Sequence, residues 1–391
     1  MSSPLRIALF TDAFHETNGV ATISRELAEF AHSRDLPFLT VRGSDRTLLS
    51  RRESLEMLEL KRGPAAFPLD KALYCDPFLT RHRKFVRERL RSFNADLVHI
   101  TGPGDLGFLG LWVAHDLKIP LVASWHTNLH EYASRRLDGL LSFVPRALRN
   151  RTALAAERHS LRGLLRFYRM ARFTLAPNEG MVNLLHTNSG KPSFLMAHGV
   201  DLTSYSPSPR PQAHPFIIGY VGRLTLEKNV RFFAQLERDL IAAGQHDFQF
   251  LLVGEGGQRD WLKKHVKHAV LPGILRGREL AAAYAGMDAF VFPSRTDTFG
   301  LVLLEAMASG LPVIVSPETG ARVEIEHGAA GFLTENFSES VLELMRNGAK
   351  RGAMSLAARR FASSKSWCGV FENLYQTYEA GLEAGGSGRR G

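Results

Sequence analysis

Ala289-Phe290-Val291-Phe292-Pro293-Ser294-Arg295-Thr296-Asp297-Thr298-Phe299-Gly300-Leu301-Val302-Leu303-Leu304-Glu305-Ala306-Met307-Ala308-Ser309-Gly310-Leu311-Pro312-Val313-Ile314-Val315 holds a whole strand–loop–helix–strand unit in one line. Ala289–Phe292 and Pro312–Val315 are short apolar runs, the pattern of strands buried on both faces. Between them a glycine-containing loop holds Asp297, and a helix carries Glu305. Working outward, the same alternation recurs. Leu5–Phe10, Phe38–Val41, Ala95–Ile100, Ile119–Ser124, Phe173–Ala176 and Phe194–Met196 read as strands before residue 200. Phe216–Val221 and Phe248–Val253 restart the pattern after Pro207, Pro209 and Pro211, an extended, proline-rich linker. Helical periods separate the strands, as with Val20, Ile23, Leu27, Phe30 and Ala31. Strands alternating with helices predict parallel sheets covered on both faces, so the chain reads as α/β with two doubly wound halves. Ligands of such sheets bind at the carboxyl ends of the strands, and a cleft between the halves is the expected site.

Composition narrows the classes. The 391 residues are 45% hydrophobic and 23% charged, ordinary for a globular chain and too apolar for a disordered one. No apolar run approaches the roughly 18 to 20 residues of a membrane-spanning helix, and Met1–Arg6 does not read as a signal peptide. Cys75 and Cys368 are too few for a disulfide scaffold or a cysteine-built zinc site, and a reduced, cytoplasmic compartment fits them. The net charge of +10 points to an anionic partner: a nucleotide, a nucleic acid or an anionic membrane surface.

Chemistry is expected just after each strand. Strand one runs into Thr11–Val20, where Gly19 lets the backbone approach a ligand and the following helix offers N–H groups to a phosphate. The Gly-x-Gly-x-x-Gly fingerprint is absent there. Gly222-Arg223-Leu224-Thr225-Leu226-Glu227-Lys228-Asn229 places two cations on a glycine-started loop, able to clamp a diphosphate. Gly254 ends another strand in a glycine turn. Asp297, Glu305 and the N–H groups of Phe299 and Gly300 suit the hydroxyls and phosphates of a nucleotide sugar. Each motif by itself is also compatible with an ordinary turn or solvated loop.

Taken in order, five elements resemble the family 4 glycosyltransferases. They are Asn18-Gly19-Val20, Ser124-Trp125-His126-Thr127-Asn128, His198-Gly199-Val200-Asp201, Gly222-Arg223 with Lys228-Asn229, and the Asp297-to-Glu305 signature. The resemblance covers nearly the whole chain and implies the GT-B fold, two Rossmann-like domains facing a donor cleft. It implies an N-terminal acceptor-side domain over residues 1–200, a nucleotide-sugar domain over 201–365, a helix over 366–384 crossing back, and a disordered tail over 385–391. By the same resemblance a nucleotide-diphosphate sugar, UDP- or GDP-linked, is the donor. Arg223 and Lys228 would neutralise its diphosphate with help from Gly19 and Gly222. Gly273 and Ile274 would lie against the base, the Gly254 turn would admit the donor close to the backbone, and Glu305 would take the ribose hydroxyls. Asp297, Phe299, Gly300 and Leu301 would hold the sugar, with His126 supporting its developing oxocarbenium. The family's first signature carboxylate is usually glutamate; Asp297 is one methylene shorter and keeps the charge.

The implied reaction is metal-independent hexosyl transfer with retention, without a cofactor. No Asp-x-Asp occurs to bridge a metal to the diphosphate. The acceptor follows from Arg135–Arg172, an arginine-rich segment with Leu140, Leu141, Phe143, Val144, Leu161 and Leu164 at spacings of amphipathic helices. It resembles the acceptor side of lipid-directed members, implying a membrane lipid or glycolipid acceptor and a peripheral position on the inner face of the cell membrane. The alternatives are a soluble saccharide acceptor and a nucleotide-sugar epimerase of the same architecture. Nucleic-acid binding is disfavoured because aromatics do not interleave the basic stretch in a stacking pattern.

Overall fold

A computed structural model describes residues 3–16, 19–70, 73–126, 158–208, 215–295, 297, 300–319 and 328–384. The chain divides into two compact units, one of residues 1–197 with 371–391 and one of residues 198–370. The last helix, Trp367–Ala384, begins in the second unit and continues in the first.

Unit 1 is built on an eight-stranded sheet ordered β10-β9-β8-β7-β1-β2-β4-β3. The strands are β1 (Ile7–Thr11), β2 (Phe38–Ser44), β3 (Leu48–Arg52), β4 (Leu55–Lys61), β7 (Leu97–Ile100), β8 (Leu121–Ser124), β9 (Phe173–Ala176) and β10 (Ser193–Leu195). All neighbours are parallel except β3, which runs against β4 and exposes all five of its residues at the edge. A small hairpin, β5 (Phe67–Asp70) with β6 (Leu73–Cys75), stands apart. The sequence reading missed β3 to β6 and the helix Arg83–Phe93, whose basic face hides the buried stripe Val86, Leu90 and Phe93.

Unit 2 has the order β13-β12-β11-β14-β15-β16, every pair parallel. Its strands are β11 (Phe216–Val221), β12 (Phe248–Val253), β13 (Ala269–Gly273), β14 (Ala289–Phe292), β15 (Val313–Val315) and β16 (Gly331–Leu333). Numbered within the unit this is 3-2-1-4-5-6, the dinucleotide-fold order. Alternate residues point to opposite faces. Ile218, Tyr220, Phe250, Leu252 and Val291 join one core with the helices Phe232–Ala242 and Phe337–Arg346. Val221, Val253, Phe290, Phe292 and Val315 join the other with Leu301–Ala308 and Gly348–Ser363. Strand order reverses between β11 and β14, so the loops after these two strands are neighbours although about 70 residues separate them in the chain.

Candidate active site

The loop after β11 is built from below. Tyr220 is buried, and its hydroxyl donates to the Arg223 carbonyl at 3.0 Å, fixing the backbone of the cation-bearing turn. The Gly222 N–H reaches the Val253 carbonyl at 3.0 Å, and the Gly254 N–H reaches that of Gly273 at 2.8 Å. These bonds tie together the ends of β11, β12 and β13. Gly254 has φ +137°, and a Cβ there would stand 1.9 Å from the Gly222 carbonyl oxygen, so only glycine fits. At this edge Arg223 pairs with Glu227 at 3.5 Å, and Lys228 pairs with Asp297 from the loop after β14. Two residues assigned separate ligands in the sequence reading, Lys228 for the diphosphate and Asp297 for the sugar, are therefore partners of each other. Asn229, at φ 55°, adds a bond from its side-chain amide to the Pro293 carbonyl at 3.3 Å. Around this meeting point Asp297 Oδ2, Ser294 Oγ and Thr225 Oγ1 are buried polar atoms with no hydrogen-bond partner among the described residues. Such atoms are uncommon, and each calls for a partner such as water, an ion or a ligand.

Gly300 caps the helix Leu301–Ala308 in the left-handed region, φ +78°, and Leu301 opens the helix half-buried. Glu305, on the second turn, keeps some exposure, but its Oε2 accepts from the buried Tyr284 hydroxyl at 2.8 Å. Burial raises its carboxyl pKa above the usual range, and the hydrogen bonds of Tyr284 and Tyr205 work against that rise. The carboxylate is held in place by phenols, which the sequence did not suggest. Gly273 closes β13 at φ +88°, and Ile274 beside it is 50% exposed, a flat apolar surface at the strand edge.

In unit 1, His126 follows β8. Trp125 is buried and stacked on Tyr168, its N–H bonds the Leu175 carbonyl at 2.8 Å, and the Tyr168 hydroxyl donates to the Ser124 carbonyl at 3.2 Å. His126 Nε2 lies 2.7 Å from Ser124 Oγ, which lies 2.9 Å from His99 Nε2; His99 Nδ1 lies 2.8 Å from the Tyr378 hydroxyl. Burial lowers the pKa of His126 to about 4; burial, then the nearby His126, lowers that of His99 to about 3, so both are neutral at pH 7. No motif in the sequence marks His99, and its link to His126 through Ser124 cannot be read from spacing. A second missed feature lies at the reversal between β1 and β7. Asp12 is held well above the usual carboxylate range by burial and by the side chain of Asp105 against it. The Leu106 N–H donates to Asp12 Oδ1 at 3.1 Å, and a Cβ on Gly104 would stand 2.0 Å from Oδ2. Gly19 opens the helix Gly19–Ser33 after β1 and is exposed.

Phe299, Asn18, Thr127 and Asn128 lie outside the described residues, as do residues 135–157 of the arginine-rich segment, residues 209–214 of the linker and the 385–391 tail. Of the arginine-rich segment, residues 158–168 are helical. Among the described residues no group of three or more His, Cys, Asp or Glu could hold a metal ion, and no helix is long and apolar enough to cross a membrane.

Comparison with known proteins follows the same division. Residues 17–204 match the family described as Glycosyltransferase Family 4, and residues 215–347 match Glycosyl transferases group 1. A GDP-mannose-dependent alpha-mannosyltransferase of Mycolicibacterium smegmatis is 34% identical over 308 residues, covering 75% of this chain and 76% of that protein. An alpha-monoglucosyldiacylglycerol synthase of Streptococcus pneumoniae is 23% identical over 363 residues, covering 85% and 78%. Among solved structures, sucrose-phosphate synthase from Thermosynechococcus elongatus superposes with a TM-score of 0.72 at 19% identity, over 97% of this chain and all of that one. The architecture is the GT-B fold expected from the motifs.

Proposed function

The chain belongs to the group 1, family 4 glycosyltransferases, and from that premise we propose that it is a retaining hexosyltransferase acting from a nucleoside-diphosphate sugar onto a lipid or glycolipid hydroxyl. The observation that carries the reading is the meeting of the loops after β11 and β14, where Arg223, Lys228 and Asp297 converge beside unsatisfied polar atoms. GDP-mannose is the first donor on this reading, because several relatives are GDP-mannose-dependent alpha-mannosyltransferases. A lipid acceptor is supported by the relative that is a glucosyldiacylglycerol synthase.

In the proposed reaction the bond from the anomeric carbon to the diphosphate oxygen breaks, and one from the acceptor oxygen forms on the same face. The acceptor's proton goes to the leaving phosphate oxygen, so no carboxylate base is required. Negative charge grows on the diphosphate, and Arg223 and Lys228 stabilise it, Lys228 exchanging its bond to Asp297 for one to phosphate. Released from Lys228, Asp297 binds sugar hydroxyls, while Glu305, steadied by Tyr284, accepts from the ribose. His126, from unit 1, is assigned to the donor sugar. Two fixed cations take the place of a metal, so the reaction is proposed to proceed in EDTA.

The test is a thermal-shift screen of GDP, UDP and their sugars, followed by transfer from the stabilising donor to extracted lipid, with product anomer read by NMR. A ligand at 100 times its Kd adds about 2.7 kcal/mol, a readable shift. Absence of stabilisation by any nucleoside diphosphate would refute the donor assignment. Turnover of donor without acceptor into an epimer would favour the epimerase reading, and transfer to soluble saccharides alone would replace the lipid acceptor.

A further inference from the structure

His99 is a fully buried group that the proposed reaction leaves unused, and the chain of contacts through it ends on His126. Tyr378, His99 and Ser124 are each at most 1% exposed. They come from the C-terminal helix, β7 and β8, and the Tyr378–His99 contact spans 279 residues of sequence.

The direction of the protons along this chain is fixed at its far end. Among the described residues the Tyr378 hydroxyl has no hydrogen-bond partner other than His99 Nδ1. A buried phenolic proton without an acceptor is disfavoured, so Tyr378 donates and His99 Nδ1 accepts. His99 is neutral, which leaves its single ring proton on Nε2, where it donates to Ser124 Oγ at 2.9 Å. Ser124 then has one proton to place. The Ile100 carbonyl is 3.3 Å away and His126 Nε2 is 2.7 Å away; the shorter contact is the normal length for a hydroxyl donor. His126 Nε2 therefore accepts, and the ring proton of His126 sits on Nδ1.

We infer that Tyr378, His99 and Ser124 are positioning residues that hold His126 as its Nδ1–H tautomer, so that His126 meets its ligand as a hydrogen-bond donor. The inference rests on the proposed assignment of His126 to the donor sugar. A donor at this place suits the hydroxyls of a hexose, and the opposite tautomer would turn a lone pair towards them. Fixing a tautomer through the second ring nitrogen is a general device for histidines that must act in one role.

Tyr378→Phe keeps the ring and removes the proton that sets the direction. Protein labelled with nitrogen-15 in histidine, with His126→Gln supplying the assignment, reports tautomers through long-range proton–nitrogen correlations. The expected result is a single Nδ1–H form of His126 in the wild type and a mixture in Tyr378→Phe. Both tautomers still bind the donor, and the Nδ1–H contact counts most in the transition state, so kcat should fall roughly threefold to tenfold while the donor KM stays within about twofold. Ser124→Ala, which cuts the chain next to His126, should give the same mixture. An Nε2–H form in the wild type, or unchanged spectra and kcat in Tyr378→Phe, would overturn the inference. Full activity in His126→Ala would instead sink the assignment beneath it, and the tautomer spectra would still judge the chain on their own.

Discussion

Replacing His99 by glutamine should change how stability depends on pH. His99 is 1% exposed, and its pKa falls from the ordinary 6.5 to about 3, first because burial penalises the imidazolium and second because His126 is close. The unfolded chain takes up this proton below about pH 6.5 and the folded chain refuses it until about pH 3, so stability rises with pH through that window and levels off above it. From 6.5 down to about pH 5 is roughly 1.5 pH units at about 1.36 kcal/mol each, or about 2 kcal/mol lost. His126, held at about 4 by burial, adds a similar loss, but it is present in both proteins and largely cancels in the comparison. The glutamine variant should be less stable at about pH 8, since Tyr378 and Ser124 lose their partner. Its deficit should shrink by about 2 kcal/mol at about pH 5. Urea denaturation reads this out, with Trp261 and Trp367 changed to phenylalanine so that Trp112 and Trp125 report on unit 1. A deficit that stays constant across this range, or widens on acidification, would show that His99 does not exclude a proton in the folded state.

Four other outcomes are expected. Glu305→Gln can still accept from Tyr284, so the fold should hold; loss of a charge-assisted bond worth about 1.5–3 kcal/mol should lower donor kcat/KM about tenfold or more, and wild-type kinetics would remove Glu305 from the site. Arg223→Ala and Lys228→Ala should each slow transfer more than they lower the melting temperature; early melting with full specific activity would contradict the clamp. Gly254→Ala forces a Cβ to 1.9 Å from a carbonyl oxygen at φ +137°, so nucleotide-induced thermal stabilisation should vanish, and its retention would show that the turn can yield. The arginine-rich segment 135–172 should carry the protein onto anionic vesicles at low salt and release it at high salt; equal sedimentation with neutral vesicles would favour a soluble acceptor.

The legible features were local. Buried parallel strands read as apolar runs, and Gly222, Gly254 and Gly300 mark loops because their turns exclude side chains. The Asp297–Glu305 spacing survives translation into structure because it is one loop and one helix. The illegible features all depend on partners distant in sequence. Nothing near Glu305 announces Tyr284, which is 21 residues away, and nothing near His99 announces Tyr378. Asp12 and Asp105 meet only because β1 and β7 are neighbours in the sheet. Strands β3, β5 and β6 escaped because they are short and carry no buried-strand run, and β4 escaped because Glu56, Glu59 and Lys61 interrupt its apolar residues although it lies between β2 and β3.

Strand order explains why the pair Lys228–Asp297 is a product of the fold and not of either loop. The reversal at β11 and β14 sets the two loops side by side, where Lys228 of one pairs with Asp297 of the other. A lone Lys228 at 16% side-chain exposure would be costly, and Asp297 removes that cost before any ligand arrives. The same pairing sets a threshold for binding. At an effective dielectric near 20, one unit charge about 4 Å from another gains about 4 kcal/mol, so a singly charged ligand gains little by displacing Asp297. A diphosphate brings more charge and can reach Arg223 at the same time. On the proposed donor assignment, the ion pair at the strand ends would select for a diphosphate over a lesser anion and would free Asp297 for the sugar as that diphosphate binds.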